Sequence, residues 1–128
     1  MERVQRLRLL FRSNKLNRAL EIKASLIISV YKKIDTLNLI FEALNNQSFK
    51  AFEVIISDDG SGKEMEEYVS SKSKEFSYPV KHIFQEDIGF RKNKILNKSI
   101  ENSSGEYLIF LDGDCIPHPE FIKEHFIN

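Results

Sequence analysis

The chain has 128 residues, 41% hydrophobic and 30% charged, a balance that suits one folded domain and excludes an intrinsically disordered chain. Nineteen Lys and Arg against nineteen Asp and Glu leave a formal net charge of zero, so no overall positive field points to nucleic acid as a partner. Apolar runs such as Leu26-Ile27-Ile28 are far too short for a membrane span, and the basic N-terminus lacks the apolar core of a secretory signal.

From Met1 to about Ala24 the chain is basic: Arg3, Arg6, Arg8, Arg12, Lys15, Arg18 and Lys23 face only Glu2 and Glu21. Val4, Leu7 and Phe11 recur at helical spacing, which predicts a short amphipathic helix in an extension over residues 1–23. Such a helix either packs on the side of the domain or touches anionic lipid or a partner. Ser25 to Tyr31 is the first strand, apolar enough to sit centrally. Asp35 suits the N-cap of a helix from Thr36 to about Asn46, with Leu37, Ile40, Phe41 and Leu44 as its apolar stripe. Phe52 to Ser57 is the second strand and ends in Asp58-Asp59-Gly60-Ser61. A helix over Lys63 to Ser73 turns Met65, Tyr68 and Val69 inward. Val80 to Phe84 is a short third strand, and Phe90 to Ile100 a helix with Ile95, Leu96 and Ile100 on its buried side. Tyr107 to Leu111 reads as a buried strand of a parallel sheet and ends in Asp112-Gly113-Asp114-Cys115. The lone Cys115 cannot form an intrachain disulfide and is expected to pack as a small hydrophobe, which suits a cytoplasmic chain.

Strands alternating with helices predict an α/β fold with a mostly parallel sheet over residues 24–128. Its connections would bring the strand ends at Tyr31, Asp58 and Asp112 to one edge, where open α/β sheets take ligands. Two carboxylate pairs, Asp58/Asp59 and Asp112/Asp114, would then share a cleft with the basic segment Arg91, Lys92 and Lys94. Residues two apart in an extended segment point the same way, so Asp112 and Asp114 can converge on one hard cation. Mg²⁺ or Mn²⁺ between carboxylates and phosphate oxygens is the simplest way to satisfy these charges. Arg91 would add a forked donor to phosphate, and a carboxylate away from the metal, such as Asp58, would accept from a base or sugar. The implied ligand is a nucleoside diphosphate derivative.

Ser25 to Tyr31, Asp58-Asp59-Gly60-Ser61 and Asp112-Gly113-Asp114 together resemble the signature of family 2 glycosyltransferases with the GT-A fold. Gln47-Ser48-Phe49 with Phe52-Glu53-Val54 resembles the family's approach to its second strand. Gly89-Phe90-Arg91 through Asn97 and Gly105-Glu106-Tyr107 resemble the stretch before its Asp-x-Asp motif. The run Gln85 to Arg91 is similar to bacterial members related to chondroitin-type polymerases and galactosyltransferases.

The resemblance implies a Rossmann-like three-layer α/β/α nucleotide-binding half of the GT-A fold, which binds a UDP-sugar and serves inverting transfer to a saccharide acceptor. It implies that Tyr31 lies near the nucleobase, that Asp58 accepts from the uracil ring nitrogen, and that Asp59 shapes the base and ribose pocket. Arg91 and Lys94 would approach the diphosphate, with Asn97 supporting that loop. Asp112 would meet the ribose or a metal-bound water, and Asp114 would ligate Mn²⁺ or Mg²⁺. His118 is either a further ligand or an exposed loop histidine. Lys32 and Lys33 depart from the asparagine usual after the tyrosine.

The family's general base lies beyond the Asp-x-Asp strand, in an acceptor-binding half. Here only Glu120 and Glu124 follow Asp114, both expected on the surface of a final helix, so no catalytic residue is assigned. The expectation is a donor-binding half without its acceptor half. The alternative is a noncatalytic binding or assembly module, forming a homo-oligomer through a sheet edge left open. Peripheral membrane contact through the basic N-terminus would put either at the inner face of the membrane. Phosphatases of the haloacid-dehalogenase type share Asp-x-Asp, but that motif opens their domain. Response-regulator receivers place their acidic pair after the first strand, and Gly60-Ser61-Gly62 lacks the third glycine of a dinucleotide site.

Overall fold

β1 (Ala24–Val30) and β2 (Phe52–Asp58) are the longest strands, and they occupy the centre of the sheet. Every residue of β2 is buried, and all of β1 except Ser29. The computed structural model describes residues 22–89 and 91–127, so the helix expected around Val4, Leu7 and Phe11 lies outside the described residues. β3 (Val80–Phe84) flanks β2 and β4 (Tyr107–Asp112) flanks β1, giving the order β3-β2-β1-β4 with every pairing parallel.

Helices cover both faces. On one, α1 (Ile34–Leu44) contributes the expected stripe of Leu37, Ile40, Phe41 and Leu44, and α2 (Lys63–Lys72) contributes Met65 and Val69. These meet Leu26, Ile28, Val54, Ile56, Ile109 and Leu111, together with Ile122 of the terminal α4 (Phe121–Ile127). On the other face, α3 (Lys92–Glu101) buries Ile95 and Ser99, on the side to which strand alternation sends Ile27 and Ile55. The α/β/α layering matches the expectation. Among the described residues no helix is long and apolar enough to cross a membrane.

Several boundaries differ from the sequence reading for local reasons. α1 starts at Ile34, so Asp35 lies in its first turn instead of capping it, still well placed for the helix dipole. α2 tightens into a 3₁₀ turn over Ser73–Glu75. α3 starts at Lys92 and leaves Ile100 at 37% exposure, because its inward face falls on Ile95 and Ser99.

β4 departs most from expectation. Among the described residues it is an edge strand, and Tyr107, Leu108 and Phe110 are 50, 36 and 52% exposed. Only Ile109 and Leu111, facing the α1 side, are buried. The entry to β4 is fastened instead by polar contacts. The buried Glu53 carboxylate accepts from Ser25 Oγ and from the Ser104 amide, both at 2.6 Å, with Lys81 Nζ at 3.2 Å. Beyond β4, Gln47 ties down the start of α4 by donating to the His118 carbonyl and accepting from the Ile122 amide.

Candidate functional site

The parallel register sets the ends of three strands side by side, with Val30 opposite Asp58 and Ser29 opposite both Ser57 and Asp112. At that edge lies a cavity of about 580 Å³, lined among others by Tyr31, Asp59, Asp87, Lys92, Asp112 and Asp114. Its floor is the cross-strand row Ser57–Ser29–Asp112, with Ile95 supplying an apolar wall from α3. The Ser57 hydroxyl is buried without a hydrogen-bond partner among the described residues.

Neighbouring carboxylates have different surroundings. Asp58 is fully buried and does not line the cavity. One of its oxygens accepts from the Ser61 amide at 2.9 Å and the Ser61 hydroxyl at 2.6 Å, and the other pairs with His82 Nε2 at 2.8 Å. In this structure the Asp58 oxygens are engaged by Ser61 and His82, which ties the carboxylate expected to meet the base into the turn after β2. Ser61 Oγ in turn accepts from the Lys32 amide at 2.7 Å, and Lys32 has the left-handed φ of 58°. Lys32 is flanked by Tyr31 and Lys33, and both line the cavity.

Asp59 does reach the cavity, and it also clamps the following loop. It accepts from Gln85 Nε2 at 2.9 Å and from the Arg91 amide at 2.7 Å. Between those points the loop carries Asp87, which accepts from the Tyr31 hydroxyl at 2.7 Å and lies 3.6 Å from Lys32 Nζ. The Tyr31 hydroxyl, then Asp87, hold the Lys32 ammonium above the usual lysine range.

The basic residues are redistributed relative to expectation. Arg91 directs its guanidinium to the Glu86 carbonyl at 3.1 Å, and neither Arg91, Lys94 nor Asn97 lines the cavity. Lys92 does, with its ammonium 3.0 Å from Asp112 Oδ1. Asp112, the last residue of β4, and Asp114, on the turn that follows, are both exposed. Cys115 is exposed as well, not packed as a small hydrophobe, and donates to Asp114 Oδ1 at 3.5 Å. That bond, with burial and both carboxylates adding, pushes the thiol pKa up. His118 pairs with Glu124 at 3.3 Å, away from the cavity.

Asp87 was missed as a cavity residue, although it lies within the Gln85–Arg91 run that marks the resemblance. Lys92 was grouped with the basic segment but given no part of its own. The start of α3 at Lys92 is what aims it, and that boundary cannot be read to one residue from sequence.

Comparison with known proteins agrees with this architecture. Glycosyltransferase AglE of Haloferax volcanii is 33% identical over 101 residues, covering 77% of this chain and 33% of that protein. Chondroitin synthase of Escherichia coli is 28% identical over 102 residues, 79% of this chain and 15% of its own length. Among solved structures, S. aureus TarS 1-349 in complex with UDP-GlcNAc shares the fold, with a TM-score of 0.68 at 23% identity over 83% of this chain and 30% of that one. The chain spans about a third or less of the length of these relatives. Residues 25–126 match the family described as glycosyl transferase family 2, and the chain belongs to that family.

Proposed function

We propose that the chain is the donor-binding part of a glycosyltransferase, taking a UDP-sugar for inverting transfer to a saccharide acceptor. One observation carries the reading: a cavity at the C-terminal edge of the sheet gathers Tyr31, Asp59, Asp112 and Asp114. That is where α/β sheets take ligands, and its volume lies within the span of small-molecule sites. The unpartnered Ser57 hydroxyl on the floor favours a polar ligand. The choice of UDP is supported by the TarS complex and by the motif order.

The donor atoms fit a hard divalent cation. Asp112 and Asp114 offer exposed carboxylate oxygens, and among the described residues no cluster of three or more His, Cys, Asp and Glu side chains forms a protein cage. Mg²⁺ or Mn²⁺ held by one or two carboxylates, with phosphate oxygens completing the shell, needs no such cage. Asp114 is the stronger candidate ligand, since Lys92 already occupies Asp112. When bound, the cation would neutralise charge developing on the leaving nucleotide.

The chain's own residues do the rest. Tyr31 presents a ring to the base, and its hydroxyl bond to Asp87 fixes the ring's direction. Asp59 holds the loop that closes one side, and Asp58 with Ser61 holds the turn behind Tyr31. Glu120 is engaged with Ser48 and Glu124 with His118, and neither is assigned as the acceptor's general base.

Calorimetric titration of UDP tests the reading. Binding is expected with Mn²⁺ at about −4 to −7 kcal/mol, roughly 1 mM to 10 μM, and is expected to vanish without metal or in Asp114→Ala. A folded chain that takes up no UDP at millimolar concentration would refute it.

A further inference from the structure

The carboxylates around the cavity are matched one by one. Asp59 is held by Gln85 and the Arg91 amide, Asp87 by Tyr31 and Lys32, and Asp112 by the Lys92 ammonium. Among the described residues, Asp114 has only the Cys115 thiol at 3.5 Å. The one cavity carboxylate held by a mobile side-chain cation alone is therefore Asp112, next to the one left most open.

Lys92 is electrostatically misplaced unless it faces an anion. It opens α3, where the helix dipole and free amides favour a carboxylate. That first turn holds no acidic residue and carries a second lysine, Lys94. The pairing with Asp112 explains the position only in part. Their side chains are 37 and 65% exposed, and a pair so open to water contributes little and exchanges readily.

We propose that Lys92 is an exchangeable counter-ion: it neutralises Asp112 in the free chain and moves to the donor's diphosphate when a divalent cation takes that carboxylate. The inference rests on the donor-site reading above. A lysine's four-carbon stem lets the ammonium swing between the two anions without moving α3. Without nucleotide, the cation must displace an ammonium that has nowhere better to go. With nucleotide, the displaced ammonium gains a second anion. Metal and nucleotide therefore favour each other's binding through Lys92 in addition to the direct contact between cation and phosphate.

The test compares wild type with Lys92→Met, which keeps the stem and loses the charge, and with Lys92→Gln, each shown folded by its thermal melt. Mn²⁺ alone, titrated by calorimetry, is expected to bind the two variants about two- to fivefold more tightly, the range of an exposed charge pair. UDP at saturating Mn²⁺ is expected to bind them about tenfold more weakly, the loss of one charge-assisted contact. Lys92→Arg is expected to retain UDP. A purely structural defect would weaken both ligands, so the opposite signs are the signature. Unchanged or weaker Mn²⁺ binding, or unchanged UDP binding, overturns the proposal while the donor site stands. Absence of UDP binding in wild type with Mn²⁺ overturns the donor site and this inference together.

Discussion

Asp58 and Asp59 are adjacent and chemically identical, yet β2 ends between them and gives them different work. Asp58 is the last strand residue and stays inside, where two hydrogen bonds from Ser61 and one contact with His82 replace its water. Asp59 turns into the cavity. The Asp-Asp-Gly-Ser pattern announced a site in the sequence, but the partner of Asp58 is His82, a residue of β3 that no local pattern connects to it. The same dependence on distant neighbours governs the partly buried Tyr68 and the buried Tyr78. Tyr68, hydrogen-bonded to Asn38, is pushed up to about 12, first by burial and then by Glu42. Tyr78, stacked between Phe52 and Phe76, is raised still further by the same causes. A phenol whose folded pKa exceeds its unfolded value near 10 contributes stability that is complete below pH 10 and lost as pH climbs through the folded value. The chain is therefore expected to lose stability above about pH 10, with Tyr78→Phe flattening the loss. Urea midpoints between pH 8 and 11.5 that fall equally in the wild type and the variant would contradict this.

At the scale of elements, the loop from Gln85 to Arg91 is held shut from three sides: by Asp59 at its ends, by Tyr31 at Asp87, and by the absence of a side chain at Gly60. A Cβ on Gly60 would lie 2.4 Å from Asp87 Cα, and its φ of +93° is a left-handed value besides. Gly62 shares the unusual φ, at +98°, but a Cβ there meets nothing within 4 Å. The two alanine substitutions separate strain from collision. Gly60→Ala is expected to cost about 1–3 kcal/mol and to abolish UDP binding, because the loop must lift and take Asp87 from Tyr31. Gly62→Ala is expected to lower stability by a similar strain yet keep UDP within about threefold. Equal binding by both variants would mean that the loop's position does not shape the cavity. The loop's role was only half legible beforehand. Its residues carried the family resemblance, but its tie to Gly60 is a backbone contact between segments 27 residues apart.

The alternation of strands and helices made the whole molecule's layering legible, because apolar periodicity is local and each strand followed by a helix demands a parallel sheet. Strand order is not local, and there the reading of β4 failed. Tyr107 to Leu111 is as apolar as a central strand, yet α3 covers the β1–β3 side of its face and leaves Leu108 and Phe110 in water. Long apolar edges tend to acquire a partner, and the relatives extend well beyond the stretch they share with this chain. The alternative of a module that assembles through β4 makes a specific claim here. Sedimentation of the purified chain is expected to show mass rising with concentration, and Phe110→Lys is expected to return it to a monomer. A charge on an edge strand opposes pairing with a second copy, and this one lies two residues short of Asp112. UDP and Mn²⁺ binding should survive Phe110→Lys, because Phe110 does not line the cavity. A wild-type chain that stays monomeric at every concentration would remove the assembly reading and leave donor binding to stand alone. Association that persists in Phe110→Lys would move the interface away from β4, to a surface that its exposed residues do not mark.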